Sequence, residues 1–499
     1  MGDDKEFSKG NADRIPSESG KAVDREKAEK SRRYSLKDSA SFNTAIGFGD
    51  NYISAYGVAL NASPAIIGML TSIPNLIAPM AQLATSKAME KNSRKKIFSI
   101  AILLQALSWL PIISVSFLFL KNVSWAPVLL VIFYTMYAIF GNFATPAWVS
   151  WIGDLIDPKE AGKFLGLRNR IGGITGLVAI VLGGIMLNAF SRQAASASKP
   201  YILLAGFGLI FLLAMTFRLL SRHFVLKQYE PTFHLEKDKY FSFSQFVKKI
   251  PKSNFGKFSL YVALILLATN IVGPYYALYM LRDLKFSYLE YMLVTVFAGV
   301  STFVFISLWG KFADRHGNIQ MLKITSALIP ILCFLWPIAI YLIPNPYKFP
   351  TILLAQFISG YAWAGFNMSA GNFVFEAATP QRRGLCSAYS NMLNGIGIFI
   401  GVTIGSVLVS YVNVKFMNVI MLVSIISGVL RYIIFLLMVN SIKEIREVKK
   451  AHWQMVPMIS NLLDLQEFIT NGILLRYRNH KKVDISSDIP LLGRDVPPR

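Results

Sequence analysis

Gly310-Lys311-Phe312-Ala313-Asp314-Arg315-His316-Gly317 is the stretch on which the reading of this chain turns. It is a short charged segment with glycine at both ends, set between apolar runs that begin near Tyr288 and Ile319. A degenerate copy lies 224 positions earlier, in residues 86–98, where Glu90 aligns with Asp314 and Lys91 with Arg315. At the same offset Leu60-Asn61-Ala62-Ser63 aligns with Leu284-Lys285-Phe286-Ser287. At an offset of 222, Asp154, Pro158, Gly162 and Asn169 align with Glu376, Pro380, Gly384 and Asn391. Three correspondences at nearly one spacing make an internal repeat.

Each copy of the repeat carries apolar runs of membrane-spanning length. A helix needs about 20 apolar residues to cross the hydrocarbon layer. Such runs begin near Ser41, Pro64, Ile97, Pro127, Ile171 and Tyr201, then resume near Phe258, Tyr288, Ile319, Phe349, Leu385 and Lys415. The pattern predicts an all-α membrane protein with twelve transmembrane helices in two pseudo-symmetric six-helix bundles. Composition agrees, because only 16% of the 499 residues are charged and 54% are hydrophobic. That charge would not coat the three or so soluble domains the length would otherwise suggest. The runs lack the alternation of an outer-membrane barrel strand.

Lys and Arg number 51 against 28 Asp and Glu. With twelve crossings, Lys121, Arg192, Lys199, Arg282, Lys285, Lys348 and Lys415 fall in loops of one side, leaving 44 basic residues with the other. The positive-inside rule makes that other side, which holds both termini, cytoplasmic. The positive charge is therefore read as topology, and no nucleic-acid partner is expected. Cys333 and Cys386 are far apart, and the five histidines have no zinc-ligand spacing, so neither a metal nor a cofactor is expected. No nucleophile constellation or GxxxxGK[ST] run supports an enzyme or an ATP-driven pump.

The 310–317 segment closely resembles the conserved loop motif of the major facilitator superfamily, and residues 86–96 are similar to a degenerate copy. Helix count and repeat size fit the same family over about 41–441. Segments such as Asn254-Phe255-Gly256-Lys257-Phe258 resemble a little-characterised prokaryotic branch. The resemblance implies alternating access between two bundles, with the solute site between them near mid-membrane. It also implies that Gly310, Asp314, Arg315 and Gly317, with Glu90 and Lys91, latch the cytoplasmic side; a solvated turn that only sets topology is the other reading. Asp154 and Glu376 repeat at the cytoplasmic ends of the fourth and tenth helices. With Arg168, Arg170, Arg382 and Arg383 nearby, they are expected to join the same gate. Arg218 and Arg431 lie inside the sixth and twelfth helices, where they must snorkel or find a partner.

The family lines its cavity with the first, fourth, seventh and tenth helices. On the first, Asn43, Gly47, Asp50, Ser54, Gly57 and Asn61 recur at helical spacing, a polar and small stripe that faces a wet cavity or another helix. Asp50 sits near mid-membrane, with Asn51 beside it. It is read as a protonatable coupling residue or a counter-ion for a cationic solute, against a structural hydrogen bond. Tyr134, Tyr137, Gly141, Thr145 and Trp148 share a face of the fourth helix, and Gln356, Gly360, Trp363, Asn367 and Ala370 a face of the tenth. On the seventh, Asn270 precedes Gly273-Pro274-Tyr275-Tyr276, and Pro274 predicts a kink. Glycines 172, 176, 183 and 184 and glycines 397, 401 and 405 are read as helix-packing surfaces.

Outside the bundles (41–221 and 258–441), the polar residues 1–40 are expected to form a disordered cytoplasmic arm. Residues 222–257 are read as a linker with an amphipathic surface helix at 242–257, and 442–499 as a cytoplasmic tail. Asn61-Ala62-Ser63 and Asn122-Val123-Ser124 fit the glycosylation sequon, a match frequent by chance. The functional expectation is a monomeric plasma-membrane secondary transporter moving a small organic solute, proton-coupled, with the lipid bilayer as its other partner. The alternatives are a lipid or lysolipid transporter of the same fold and a non-transporting receptor or scaffold.

Overall fold

The structure, a computed structural model, describes residues 18–156, 161–231, 242–377 and 383–445. The side chains of 18–25, 86, 161–162 and 383 lie outside the description. Among the described residues every regular element is helical. The first half comprises α1 (Glu18–Phe48), α2 (Ile53–Ala59), α3 (Pro64–Met89), α4 (Arg94–Leu107), α5 (Trp109–Leu120), α6 (Ala126–Leu155), α7 (Ala161–Ala197) and α8 (Pro200–Leu226). After α9 (Phe243–Lys249) the second half comprises α10 (Asn254–Asn270), α11 (Tyr275–Leu278), α12 (Tyr288–His316), α13 (Asn318–Tyr341), α14 (Lys348–Ala377), α15 (Arg383–Tyr411) and α16 (Val419–Met438).

Among the described residues ten helical segments are long and apolar enough to cross a membrane, counting Arg94–Leu120 and Asn254–Asp283 as one each. The α1–α2 and α14 segments are not among them. Both are full-length but more polar, and both contribute residues to the interior. Large apolar side chains such as Leu110, Phe117, Ile132, Leu182, Leu354 and Leu436 are exposed on the outside of the bundles. Such a girdle faces hydrocarbon, not water.

The repeat seen in the sequence recurs in the backbone. Asn61 and Lys285, 224 apart, both take positive φ, 53° and 55°, just past a helix end. Ser63 and Ser287 then cap α3 and α12 by accepting the Ile66 and Glu290 amides. The left-handed conformation suits asparagine, so Asn61 and Asn122 (φ 58°) are explained as helix-ending residues. The two first helices also break at equivalent places. α1 stops at Phe48 and resumes after a single 3-10 turn over Asp50–Tyr52. Its counterpart stops at Asn270 and resumes at Tyr275. Gly49 and Gly273, also 224 apart, lie in the two interruptions.

One face gathers the starts of α1, α4, α10 and α13 with the ends of α8 and α16; it is called the near face below. There the Ser31 hydroxyl accepts the Tyr229 amide, and Asn254 pairs reciprocally with the Lys443 backbone. Glu230 accepts the Arg94 amide at the start of α4 and Glu444 the Ile319 amide in the first turn of α13, where a carboxylate also complements the helix dipole. Residues 18–40 are accordingly no disordered arm: they are the beginning of α1, with Ser31, Ser35, Asp38 and Ser39 buried against the bundle. Their polarity is satisfied by internal partners, which composition does not show. Residues 1–17 lie outside the described residues.

The halves meet along α3 with α15 and α7 with α12, and at the far face where α11 packs on α2 and α3. Gly68 approaches Tyr275 and Val402, and Gly184 approaches Met292. The expected linker helix is α9, opened by a Ser242–Gln245 capping box, with Phe246 and Ile250 buried against Tyr389. The segments 232–241 and 446–499, including the apolar run near Met458, lie outside the described residues.

Candidate functional site

The break in the first helix places Asp50. Interrupting the helix turns its side chain into a cavity of about 640 Å³ lined by α1, α3, α4, α6 and the buried arginines Arg168 and Arg218. Tyr137 donates to one carboxylate oxygen at 2.7 Å, and Tyr134 to the other at 3.3 Å. The two tyrosines, one turn apart on α6, stack with centroids 5.7 Å apart. A carboxylate held by two hydroxyls, facing a cavity of mixed polar and apolar lining and without a salt-bridge partner among the described residues, can take up and release a proton or a cation.

All five predicted residues of the fourth helix line this cavity: Tyr134, Tyr137, Gly141, Thr145 and Trp148. The stripe on the first helix divides. Asp50 and Ser54 face the cavity. Gly47 packs on α7 near Gly176 and Ala179, Asn43 lies against Gly172, and Gly57 packs on Ile67 and Leu70. The break at Gly49 shifts the register, so one face of a continuous helix is not preserved. Asn51 donates to the Ile46 carbonyl at 3.1 Å and lies outside the cavity lining.

A second cavity of about 370 Å³ shares Ser54 and Thr71 with the first and reaches into the other half. Asn270, Tyr276 and Gln356 line it, together with Tyr291 and Thr295. The Tyr276 hydroxyl pairs with Ser424 at 2.6 Å, and its ring lies 4.7 Å from that of Trp336. Tyr275 is instead buried between the halves, donating to the Val402 carbonyl at 3.1 Å. Trp363 packs edge-on against Phe366, Asn367 is exposed, and neither lines a described cavity. Gly360 packs against Ala298 and Ser301 of α12. Glycines 397, 401 and 405 of α15 lie against the Ala263 and Leu267 carbonyls of α10 and the Ile271 carbonyl just past its end, as close helix packing requires.

The near-face residues split as well. Gly317 sits at φ 89°, ψ 162°, a conformation open to glycine, and so joins α12 to α13 in one residue. Gly310 approaches Met368. Asp314, Arg315, Glu90 and Lys91 are exposed, and no hydrogen bond or ion pair engages their side chains among the described residues. Asp154 pairs with Arg94, which also reaches Glu230 at 3.5 Å. The equivalent carboxylate, Glu376, accepts from Asn318 at 2.7 Å; Asn318 stands 224 positions after Arg94. Arg168 does not join that gate: it pairs with Asp38 at 3.1 Å and stacks over Trp148. Arg382 and the Arg383 side chain lie outside the described residues.

Sequence reasoning missed Asp38, Arg94, Gln105 and Ser221. Asp38 fell inside the segment read as disordered. Arg94 was detectable, since it lies in the aligned block 86–98. Neither interior arginine snorkels, because Arg218 and Arg431 are each only 4% exposed. Arg218 donates to Gln105 at 2.8 Å and to Ser221 at 3.1 Å, and Ser221 in turn donates to Asp38 at 2.7 Å. A chain of polar groups thus runs inside the first half from Asp38 to Arg218, beside the cavity that holds Asp50.

The nucleoside transporter NupG, in a point-mutant form, superimposes with a TM-score of 0.60 at 16% identity, covering 84% of this chain and 100% of that one. A bacterial homologue of the iron transporter ferroportin, inward-facing, gives 0.62 at 14% identity over 83% and 99%. The xylose transporter XylE from E. coli, partially occluded and inward-open, gives 0.61 at 14% over 85% and 100%. At these identities the likeness concerns the fold alone. No curated protein sequence matches the chain. The profile of the Major Facilitator Superfamily matches residues 40–254 and 258–477, one copy to each half.

Proposed function

The chain belongs to the major facilitator superfamily, and on that premise we propose that it is a proton-coupled secondary transporter of a small organic solute. The observation that carries the proposal is Asp50, held by Tyr134 and Tyr137 at the break of the first helix and open to the cavity. A proton taken up there alters the charge on the wall of the first cavity, which joins the second, lined by the other half, at Ser54 and Thr71. Solute and proton thereby act on the same equilibrium between two states.

We further read α1–α2 and α14 as the two remaining crossings, which brings the total to twelve. Positive charge on the near face supports reading that face as cytoplasmic, and the membrane is taken to be the plasma membrane. The far face is closed where α11 meets α2 and α3, while the latch residues Asp314, Arg315, Glu90 and Lys91 stand disengaged. That combination supports an inward-open state. In this reading the first bundle, expected over 41–221, takes in α1 from Glu18, the second is taken over 258–441, and the protein works as a monomer.

Reconstitution into liposomes with an imposed pH gradient and a panel of solutes tests the proposal. Accumulation of a solute above equilibrium supports it. Headgroup-specific lipid transfer points to a lipid or lysolipid transporter of the same fold, and neither activity to a receptor or scaffold.

A further inference from the structure

Arg431 is a buried cation left over by the pseudo-symmetry. It stands on α16 about 10 Å from the helix end, at 1.5 Å per residue. Arg218 holds nearly the same place on α8. Around Arg218 the first half supplies Gln105, Ser221 and, through Ser221, Asp38. The second half supplies none of their counterparts. Offset by 224, Gln105 becomes Ile329 and Asp38 becomes Val262; three residues beyond Arg431, where Ser221 would stand, is Ile434. All three are buried and apolar. The polar partners are gone, yet the arginine is present.

What remains to it is slight. One amine of Arg431 reaches the Thr269 carbonyl at 3.4 Å, and its Nε has no hydrogen-bond partner among the described residues. No carboxylate lies within salt-bridge distance of it among those residues. The described acids of the second half, Asp283, Glu290, Asp314, Glu376 and Glu444, all lie near the ends of helices. An unpaired guanidinium in such a setting is strongly disfavoured unless an anion answers it. Thr269 adjoins Asn270, which lines the second cavity together with Tyr276; Arg431 itself is not among the lining residues. The chemistry behind that wall suits a carboxylate or phosphate, which accepts charge-assisted hydrogen bonds from a guanidinium.

We propose that Arg431, with Tyr276, forms a subsite for the anionic group of the solute, so that the transported class is an organic anion. The inference rests on the reading of the protein as a transporter and names its substrate class. With a proton on Asp50 in one half and a singly charged anion beside Arg431 in the other, the two loads neutralise one another. Transport of such a pair is electroneutral.

Binding is tested without any gradient, on the purified full chain in neutral detergent. Thermal stabilisation and calorimetric titration compare lactate with lactamide, benzoate with benzamide, and glycerol 3-phosphate with glycerol, plus phosphatidylglycerol. At least one soluble anion is expected to bind tenfold or more tightly than its uncharged partner. Arg431→Gln should abolish that preference and Arg431→Lys should keep part of it. Ligand-free Arg431→Gln should unfold no earlier than wild type, since it removes an unanswered charge. Equal binding of charged and uncharged partners, an unchanged preference in Arg431→Gln, or stabilisation by phosphatidylglycerol alone overturns the subsite. If Arg431→Gln does not fold, the arginine is structural and the proposal fails. Loss of proton coupling is read in pH-driven uptake by Asp50→Asn and loss of the anion subsite in gradient-free binding by Arg431→Gln, so the two failures are distinguished.

Discussion

Asp38→Asn should destabilise the first half through the cation it strands. The Asp38 side chain is 2% exposed and that of Arg168 11%, so water screens the pair little. Removing one partner of a buried ion pair costs about 3–5 kcal/mol. A single bond of 3.1 Å joins them, and Arg168 keeps its stacking on Trp148, which places the effect near the lower end. At about 2–4 °C per kcal/mol for a unit of 150–250 residues, a loss of about 3 kcal/mol lowers the apparent Tm by about 6–12 °C. The assay is thermal unfolding followed by tryptophan fluorescence, in one detergent and at two scan rates, because unfolding of such proteins is commonly irreversible. Asp38→Asn combined with Arg168→Gln removes the stranded charge and should recover a large part of the loss. A single variant within about 1 °C of wild type, below the shift expected for even 1 kcal/mol, refutes the reasoning. So does a double variant less stable than the single one.

Tyr137→Phe should reduce pH-driven uptake more than Tyr134→Phe, because the bonds they give Asp50 are 2.7 Å and 3.3 Å; equal effects in a liposome assay would contradict that ranking. Gly317→Ala forces a side chain onto φ 89° and should cost about 1–3 kcal/mol. Gly371→Ala, with nothing near the added methyl, should be neutral or slightly stabilising, and thermal unfolding of both checks the contrast. Asp314→Asn should raise labelling of a cysteine at Ser54 from the near face and lower it from the far face, since the latch is unmade in the state described. Unchanged labelling on both faces would remove the latch.

The repeat, most of the helix starts and the α6 face were legible because each depends on a short-range pattern: an aligned block, an apolar run, a helical period. The break at Gly49 was not legible, although Pro274 announced its counterpart. No proline marks it, and only the equivalence of Gly49 with Gly273 hints at it. Arg168 was assigned to the gate by its nearness in sequence to Asp154, whereas helix packing carries it to Asp38, 130 positions away. Trp363 and Asn367 kept the right spacing but lie outside the described cavities, because periodicity identifies a polar face without saying what it meets. Polarity at 18–40 read as disorder because composition cannot distinguish solvated serines from serines bonded inside a bundle. Partners distant in sequence decide all of these.

The proposal places the coupling on Asp50, and one comparison on proteoliposomes tests it most directly: solute counterflow beside accumulation driven by a pH gradient, for wild type and Asp50→Asn. The variant should retain exchange at a rate near wild type while losing pH-driven accumulation. Full accumulation by Asp50→Asn would contradict the proposed role of this carboxylate.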